Sequence, residues 1–123
     1  MEYSTYGRHI ALDVWGVDFS LLDDVEFLKQ GMIDAAVKSR ADVLSVTYKK
    51  FEPNGCTVLI LVSESHLSIH TYPEEKFAAI DCFTCGKKVD PQIAINYLID
   101  ILKPKKMYMK KLIRGLDEIV IID

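Results

Sequence analysis

The chain has 123 residues, 15 basic and 18 acidic, for a formal charge of −3; half of it is hydrophobic and 27% charged, a balance that describes one globular domain over residues 1–123. A nucleic-acid binder would carry a strong basic excess to neutralise phosphates, and residues 57–62, the longest apolar run, fall far short of the ~20 a membrane-spanning helix needs; neither partner is expected. Residues 1–5 show no basic or apolar stretch of a secretory signal and three cysteines cannot all pair in one chain, so a reducing, cytoplasmic location is the expectation.

Residues 6–15 are rich in β-formers and predict a strand closed by Gly16. Ser20 offers an N-cap with Asp23 three residues on, and Leu21, Val25, Leu28, Met32 and Ala36 recur at helical spacing opposite Asp23, Asp24, Lys29, Gln30 and Lys38. The spacing predicts one amphipathic helix of about five turns. In residues 42–48 the period falls to two, with Leu44, Val46 and Tyr48 alternating against Val43, Ser45 and Thr47; a turn follows at Pro53, Asn54 and Gly55. Residues 57–62 are apolar on both faces, as in a central strand covered by helix on one side and by a partner chain on the other. Another strand is expected at 77–83. Asp90 then caps a helix with Pro91 at its first position, Ile93, Ala94, Tyr97, Leu98, Ile101 and Leu102 forming its buried stripe, and Pro104 stops it. Strands near 106–113 and 118–122 complete the order β-α-β-β-β-α-β-β. That order points to an α+β fold, a two-layer sandwich of a mainly antiparallel sheet with two helices on one face. An apolar uncovered sheet face would favour a homodimer.

One stretch stands apart. Residues 63–74, Ser-Glu-Ser-His-Leu-Ser-Ile-His-Thr-Tyr-Pro-Glu, put three serines, two histidines and two glutamates directly after the most apolar strand. Either this is a solvated polar strand end or it carries chemistry. His66 and His70 sit in a β context with no intervening zincin-type glutamate, so no metal site is expected. On a strand, Glu64, His66, Ser68 and His70 share one face and Ser63, Ser65, Leu67 and Ile69 the other. Ser65 and His70 then point apart, and if the two cooperate the backbone between them must turn or bulge. Cys82 and Cys85 form a Cys-x-x-Cys, but no second pair completes a zinc site and Gly86, Lys87 and Lys88 read as a turn rather than a helix start. Cys82 alternates with Ile80 and Ala78 as a buried small hydrophobe, while Cys85 ends the strand and can present a thiol. Residues 103–114 hold six of the fifteen basic residues and no acid, the pattern of an edge strand that discourages unwanted pairing.

The run 63–74, followed by Asp-Cys-Phe-Thr-Cys-Gly at 81–86, closely resembles the signature of the short prokaryotic S-adenosylmethionine decarboxylases. Tyr-Gly-Arg-His-Ile from Tyr6, Phe-Glu-Pro from Phe51 and Val-Asp-Pro from Val89 extend the resemblance to nearly the whole chain. It implies a pyruvoyl enzyme made by self-cleavage between Glu64 and Ser65 into 1–64 and 65–123 chains. By analogy, Ser65 attacks the Glu64 carbonyl to give an ester, His70 removes the α-proton of residue 65, and elimination and hydrolysis leave a pyruvoyl group heading the second chain. A serine hydroxyl is a poor nucleophile and needs a strained amide, an oxyanion donor and a nearby base; Thr57 lies where relatives carry a hydroxyl that helps hold the oxyanion.

The resemblance further implies that the amine of S-adenosylmethionine forms a Schiff base with the pyruvoyl ketone, with neither metal nor pyridoxal phosphate, and that Cys85 donates the proton after carbon dioxide leaves. The product would serve spermidine biosynthesis. Glu74 matches an acid that contacts the ribose hydroxyls, and Phe51 and Tyr72 are candidates to stack on the adenine. Each aromatic could equally fill the core or a dimer seam. Active sites in relatives lie at the dimer interface, so Phe51 could serve the neighbouring subunit. The same pyruvoyl machinery could instead act on arginine or ornithine, and an uncleaved, non-enzymatic regulatory homologue is the reading from another class.

Overall fold

A computed structural model describes residues 5–123; residues 1–4, on which the secretory-signal reading draws, lie outside the described residues. Strand β1 (Gly7–Trp15) leads through a single-turn helix α1 (Phe19–Leu22) into α2 (Val25–Lys38). Four strands follow, β2 (Val43–Lys50), β3 (Cys56–Val62), β4 (Ser65–Tyr72) and β5 (Phe77–Cys85), with a 3-10 turn, Pro73–Glu75, before the last. Helix α3 (Pro91–Leu102) and strands β6 (Lys106–Arg114) and β7 (Val120–Ile121) close the chain. All pairings are antiparallel, in the order β2-β3-β4-β5-β1-β6-β7. Helices α2 and α3 pack on one face, the α+β two-layer sandwich expected. No helix among the described residues is long and apolar enough to cross a membrane.

Strand alternation builds the core. Ile10, Leu12 and Val14 of β1, Val58, Ile60 and Val62 of β3, Leu67 and Ile69 of β4, and Ala78, Ile80 and Cys82 of β5 are buried beneath the helices. Each of the large side chains contributes about 1.5–3 kcal/mol by leaving water. Helices α2 and α3 meet closely at Gly31, where an added Cβ would stand 2.6 Å from Ile101 Cδ1.

Several expectations change. Four strands, not three, separate the long helices, because residues 65–72 form a strand of their own. The first helix breaks at Asp23, and the N-caps are Asp18 and Asp24 rather than Ser20: Asp24 accepts from the Phe27 amide at 3.0 Å, while Asp23 turns away to accept from Gly55 N–H at 2.9 Å and to pair with Lys50 at 2.9 Å. In β2 a bulge between Val43 and Ser45 leaves Leu44 in solvent, and of the predicted row Leu44, Val46 and Tyr48 only Val46 packs against the core, together with Val43. On α3, capped by Asp90 with Pro91 behind it as expected, Ile95 is buried and Ile93 exposed. The basic strand β6 is not the sheet edge, although β7 pairs only with Leu112 and Ile113 and leaves most of its outer side open.

On the face away from the helices lie Leu59 and Leu61, 43% and 51% exposed, with Trp15, Tyr72 and Tyr108 also exposed. Here the apolar second face read in residues 57–62 meets no other element among the described residues.

Candidate active site

Strand β4 runs through the middle of the sheet and carries reactive groups at both ends. At its start, β3 and β4 are joined by a tight turn of Ser63 and Glu64, with Val62 paired to Ser65. Glu64 has φ 63°, a left-handed conformation that Gly or Asn ordinarily fills and that costs another residue on the order of 1 kcal/mol. The unusual backbone therefore lies at Glu64, the residue before the peptide bond entering Ser65, and not between Ser65 and His70. Ser65 is 7% exposed, and its Oγ accepts from the Cys85 backbone N–H at 3.3 Å. Its cross-strand partner is Thr84. Thr84 is 0% exposed and its Oγ1 has no hydrogen-bond partner among the described residues, a state that costs about 1–3 kcal/mol. Nearby on the open face, His9 shares a 2.9 Å contact with Asp81, and Arg114 Nη1 lies 3.5 Å from His9 Nδ1. An arginine can only donate, so Nδ1 accepts and Nε2 donates to Asp81.

At the other end, Thr57 and His70 are register partners on β3 and β4, and Thr57 Oγ1 and His70 Nδ1 share a 3.0 Å hydrogen bond on the open face. Tyr72, exposed on the same face, stacks on Phe77 with ring centroids 5.6 Å apart. Phe51 and Glu74 are exposed beside this end, Phe51 in the β2–β3 loop and Glu74 in the 3-10 turn; the two segments meet where the Gly55 Cβ position lies 3.8 Å from Pro73 Cδ. The loop is closed by Phe51 N–H donating to Gly55 O at 2.8 Å and held to the helix break by Asp23. Gly55 and Lys50 donating to Asp23 hold its carboxyl below the usual range, and the same pairing raises Lys50.

The chain thus brings Ser65, Glu64 and Cys85 together at one end, and Thr57, His70, Tyr72, Phe51 and Glu74 at the other, but does not bring the two groups to each other. Register is unbroken from Ser65 opposite Thr84 to Tyr72 opposite Phe77, with no bulge between Ser65 and His70. Five residues of strand separate them by about 16 Å, and odd and even positions face opposite ways. His66 and His70 share a face but lie about 13 Å apart, too far for one ion. The Cys-x-x-Cys is also split. Cys82 faces the core and its thiol is pushed up to about 12 by burial first and by Asp81 and Asp90 next, while Cys85, half-buried, lies on the open-face parity. Sequence reasoning missed Thr84, the His9–Asp81–Arg114 cluster and Asp23, whose partners are distant in the chain; only the lone threonine in an otherwise apolar buried row of β5 left a local signal.

A serine after a left-handed turn residue, a thiol on the neighbouring strand and a hydroxyl–imidazole pair further along the same sheet are the reactive groups of an enzyme, divided between the two ends of one strand. The family model for S-adenosylmethionine decarboxylase matches residues 8–115. The chain is 64% identical over its full length, and 92% of the relative's, to an S-adenosylmethionine decarboxylase proenzyme of Brevibacillus brevis, and 63% identical, with both chains fully covered, to S-adenosylmethionine decarboxylase proenzyme 2 of Bacillus cereus. Among solved structures, the adenosylmethionine decarboxylase of Aquifex aeolicus superposes with a TM-score of 0.86 at 34% identity, over 94% of this chain and 96% of that one. A Trypanosoma brucei AdoMetDC monomer shares the fold at 14% identity and a TM-score of 0.62, over 86% of this chain and 45% of that one. The chain belongs to the S-adenosylmethionine decarboxylase family.

Proposed function

We propose that the chain is a cytoplasmic, self-processing decarboxylase of S-adenosylmethionine, cleaved between Glu64 and Ser65, whose active centre forms between two copies of the cleaved protomer. The carrying observation is the separation just described: Thr57 and His70 lie at one end of β4 on the sheet face that exposes Leu59 and Leu61, and Cys85 lies on that same face at the other end, next to Ser65, whose side chain takes the helix-covered side. A two-fold partner laid on that face would bring the His70 end of one copy to the Ser65 end of the other. Each dimer would then hold two centres, with Phe51, Tyr72 and Glu74 of one copy serving the substrate held at the other.

The residues present fit a pyruvoyl group derived from Ser65, with no metal or pyridoxal phosphate. The serine lies next to a left-handed residue, its Oγ already receives an N–H, and a thiol ends the neighbouring strand. When formed, such a group supplies a ketone that binds an amine and accepts electrons from a departing carboxylate. This chain's own residues do the rest. Cys85 delivers a proton, the Glu74 carboxylate accepts from the ribose hydroxyls, and the Phe51 and Tyr72 faces take the adenine and attract the sulfonium. The product is the decarboxylated nucleoside used for spermidine.

Cleavage would not release the pieces. Strand β1, from the 1–64 part, is hydrogen-bonded between β5 and β6 of the 65–123 part, so the two chains remain one fold. Denaturing intact mass of freshly purified protein tests the reading. The expected result is two fragments, split after Glu64, that are absent from Ser65→Ala; a single species near 14.0 kDa after long incubation would contradict it.

A further inference from the structure

The self-processing reading leaves one buried group unused, and the inference drawn from it rests on that reading. Ser65, Thr84 and Arg8 form one row across β4, β5 and β1 on the helix-covered face. Ser65 Oγ receives the Cys85 N–H, and the Arg8 guanidinium is tied by Nη2 to the Val89 carbonyl. Thr84 Oγ1 and Arg8 Nε, between and beside them, are buried with no partner among the described residues. A hydroxyl stripped of water and given no partner works against folding, and valine would fill the same volume without that cost. Its place is opposite the one serine whose hydroxyl must be aimed.

We infer that Thr84 is a positioning residue for self-cleavage, its hydroxyl accepting the Ser65 O–H. Cross-strand Cβ atoms lie about 4.5–5.5 Å apart, so rotation about the Thr84 Cα–Cβ bond brings Oγ1 within reach of Ser65 Oγ. With the Cys85 N–H on one lone pair and the proton directed at Thr84, the remaining lone pair of Oγ is left for the Glu64 carbonyl carbon. The step is an isomerisation. A bond forms between Ser65 Oγ and the Glu64 carbonyl carbon, the bond from that carbon to the Ser65 nitrogen breaks, and the proton leaving Oγ ends on that nitrogen as the amine of an ester.

The test separates this role from packing because the two predict opposite signs. Thr84→Val and Thr84→Ala are followed for cleavage by intact mass over time and for thermal midpoint as uncleaved chains in a Ser65→Ala background. Thr84→Val is expected to fold with an unchanged or higher midpoint yet cleave about ten- to a hundred-fold more slowly, Thr84→Ala to be comparably slow, and Thr84→Ser, which keeps the hydroxyl, to cleave near the parent rate. Cleavage of Thr84→Val at the parent rate, or Thr84→Ser as slow as Thr84→Val, overturns the role of Thr84 alone. A parent chain that never cleaves overturns the self-processing reading and this inference with it.

Discussion

The two ends of β4 solve different problems with the same strand. The Ser65 end is buried and unsettled: a left-handed Glu64, a hydroxyl held by one N–H and a neighbouring hydroxyl with no partner among the described residues. The His70 end is open and settled, its imidazole already bonded to Thr57 and its flanking loop pinned to the helix break by Asp23. A strained group needs enclosure before it reacts, whereas a group that acts on another copy must be exposed and held ready in advance. On the proposed reading, the difference lets one sequence motif, continuous over residues 63–74, serve two places at once.

The largest effect tests the division itself. His70→Ala leaves the Ser65 end intact, yet cleavage should slow by a factor on the order of 100 to 10,000, the usual loss with a general base, as read by fragment mass over time. Next comes the surface between copies. Leu61→Glu places a charge at a half-exposed position, so the fold should persist by circular dichroism while sedimentation velocity shows monomer and cleavage falls with it; a monomer that cleaves at the parent rate would mean that no second copy is needed at the His70 end.

The clamp on the His70 end should give a smaller, pH-dependent effect. Asp23→Asn removes a carboxylate whose folded value is lowered by Gly55 and Lys50. A lowered acid contributes stability that is present above its unfolded value, near 3.8, and lost as pH falls through the lower folded one. The thermal-midpoint gap between parent and Asp23→Asn should therefore be steady at neutral pH and close as the solution is taken below that range, with the KM for substrate raised through the Phe51 loop. Smallest is the contrast between thiols. Under native conditions at neutral pH, iodoacetamide should modify Cys85 ahead of Cys82, whose thiol is buried and pushed up to about 12; modification of Cys82 first would mean the face assignment of β5 is wrong.

How much of this could be read beforehand follows from the range of each interaction. Asp90 and Pro91 mark α3 because capping is local, and the parity of Ser65 and His70 was legible because strands alternate. The break at Asp23 was not, since the carboxylate answers to Gly55, far along the chain, and nothing near it in sequence shows that competition. Strand β4 hid behind its own polarity: Ser65, His66, Ser68 and His70 masked the buried Leu67, Ile69 and Thr71. Ile93 exchanged places with Ile95 because both fit an apolar stripe and only packing chooses. Among the site residues, the Ser65 motif was plain, whereas the pairing of Thr57 with His70 and of Ser65 with Thr84 depends on register, which the chain reveals only when folded.

The most direct measurement is complementation between two defective copies. Ser65→Ala and His70→Ala chains, distinguished by a mass tag, are co-expressed, and each is scored for cleavage by intact mass against the same chains expressed alone. Sharing across the dimer predicts that the His70→Ala chain is cleaved only when the Ser65→Ala chain, which supplies its intact His70, is present. If the His70→Ala chain stays whole in the mixture as it does alone, the centre lies within one protomer and the account of the two ends of β4 is wrong.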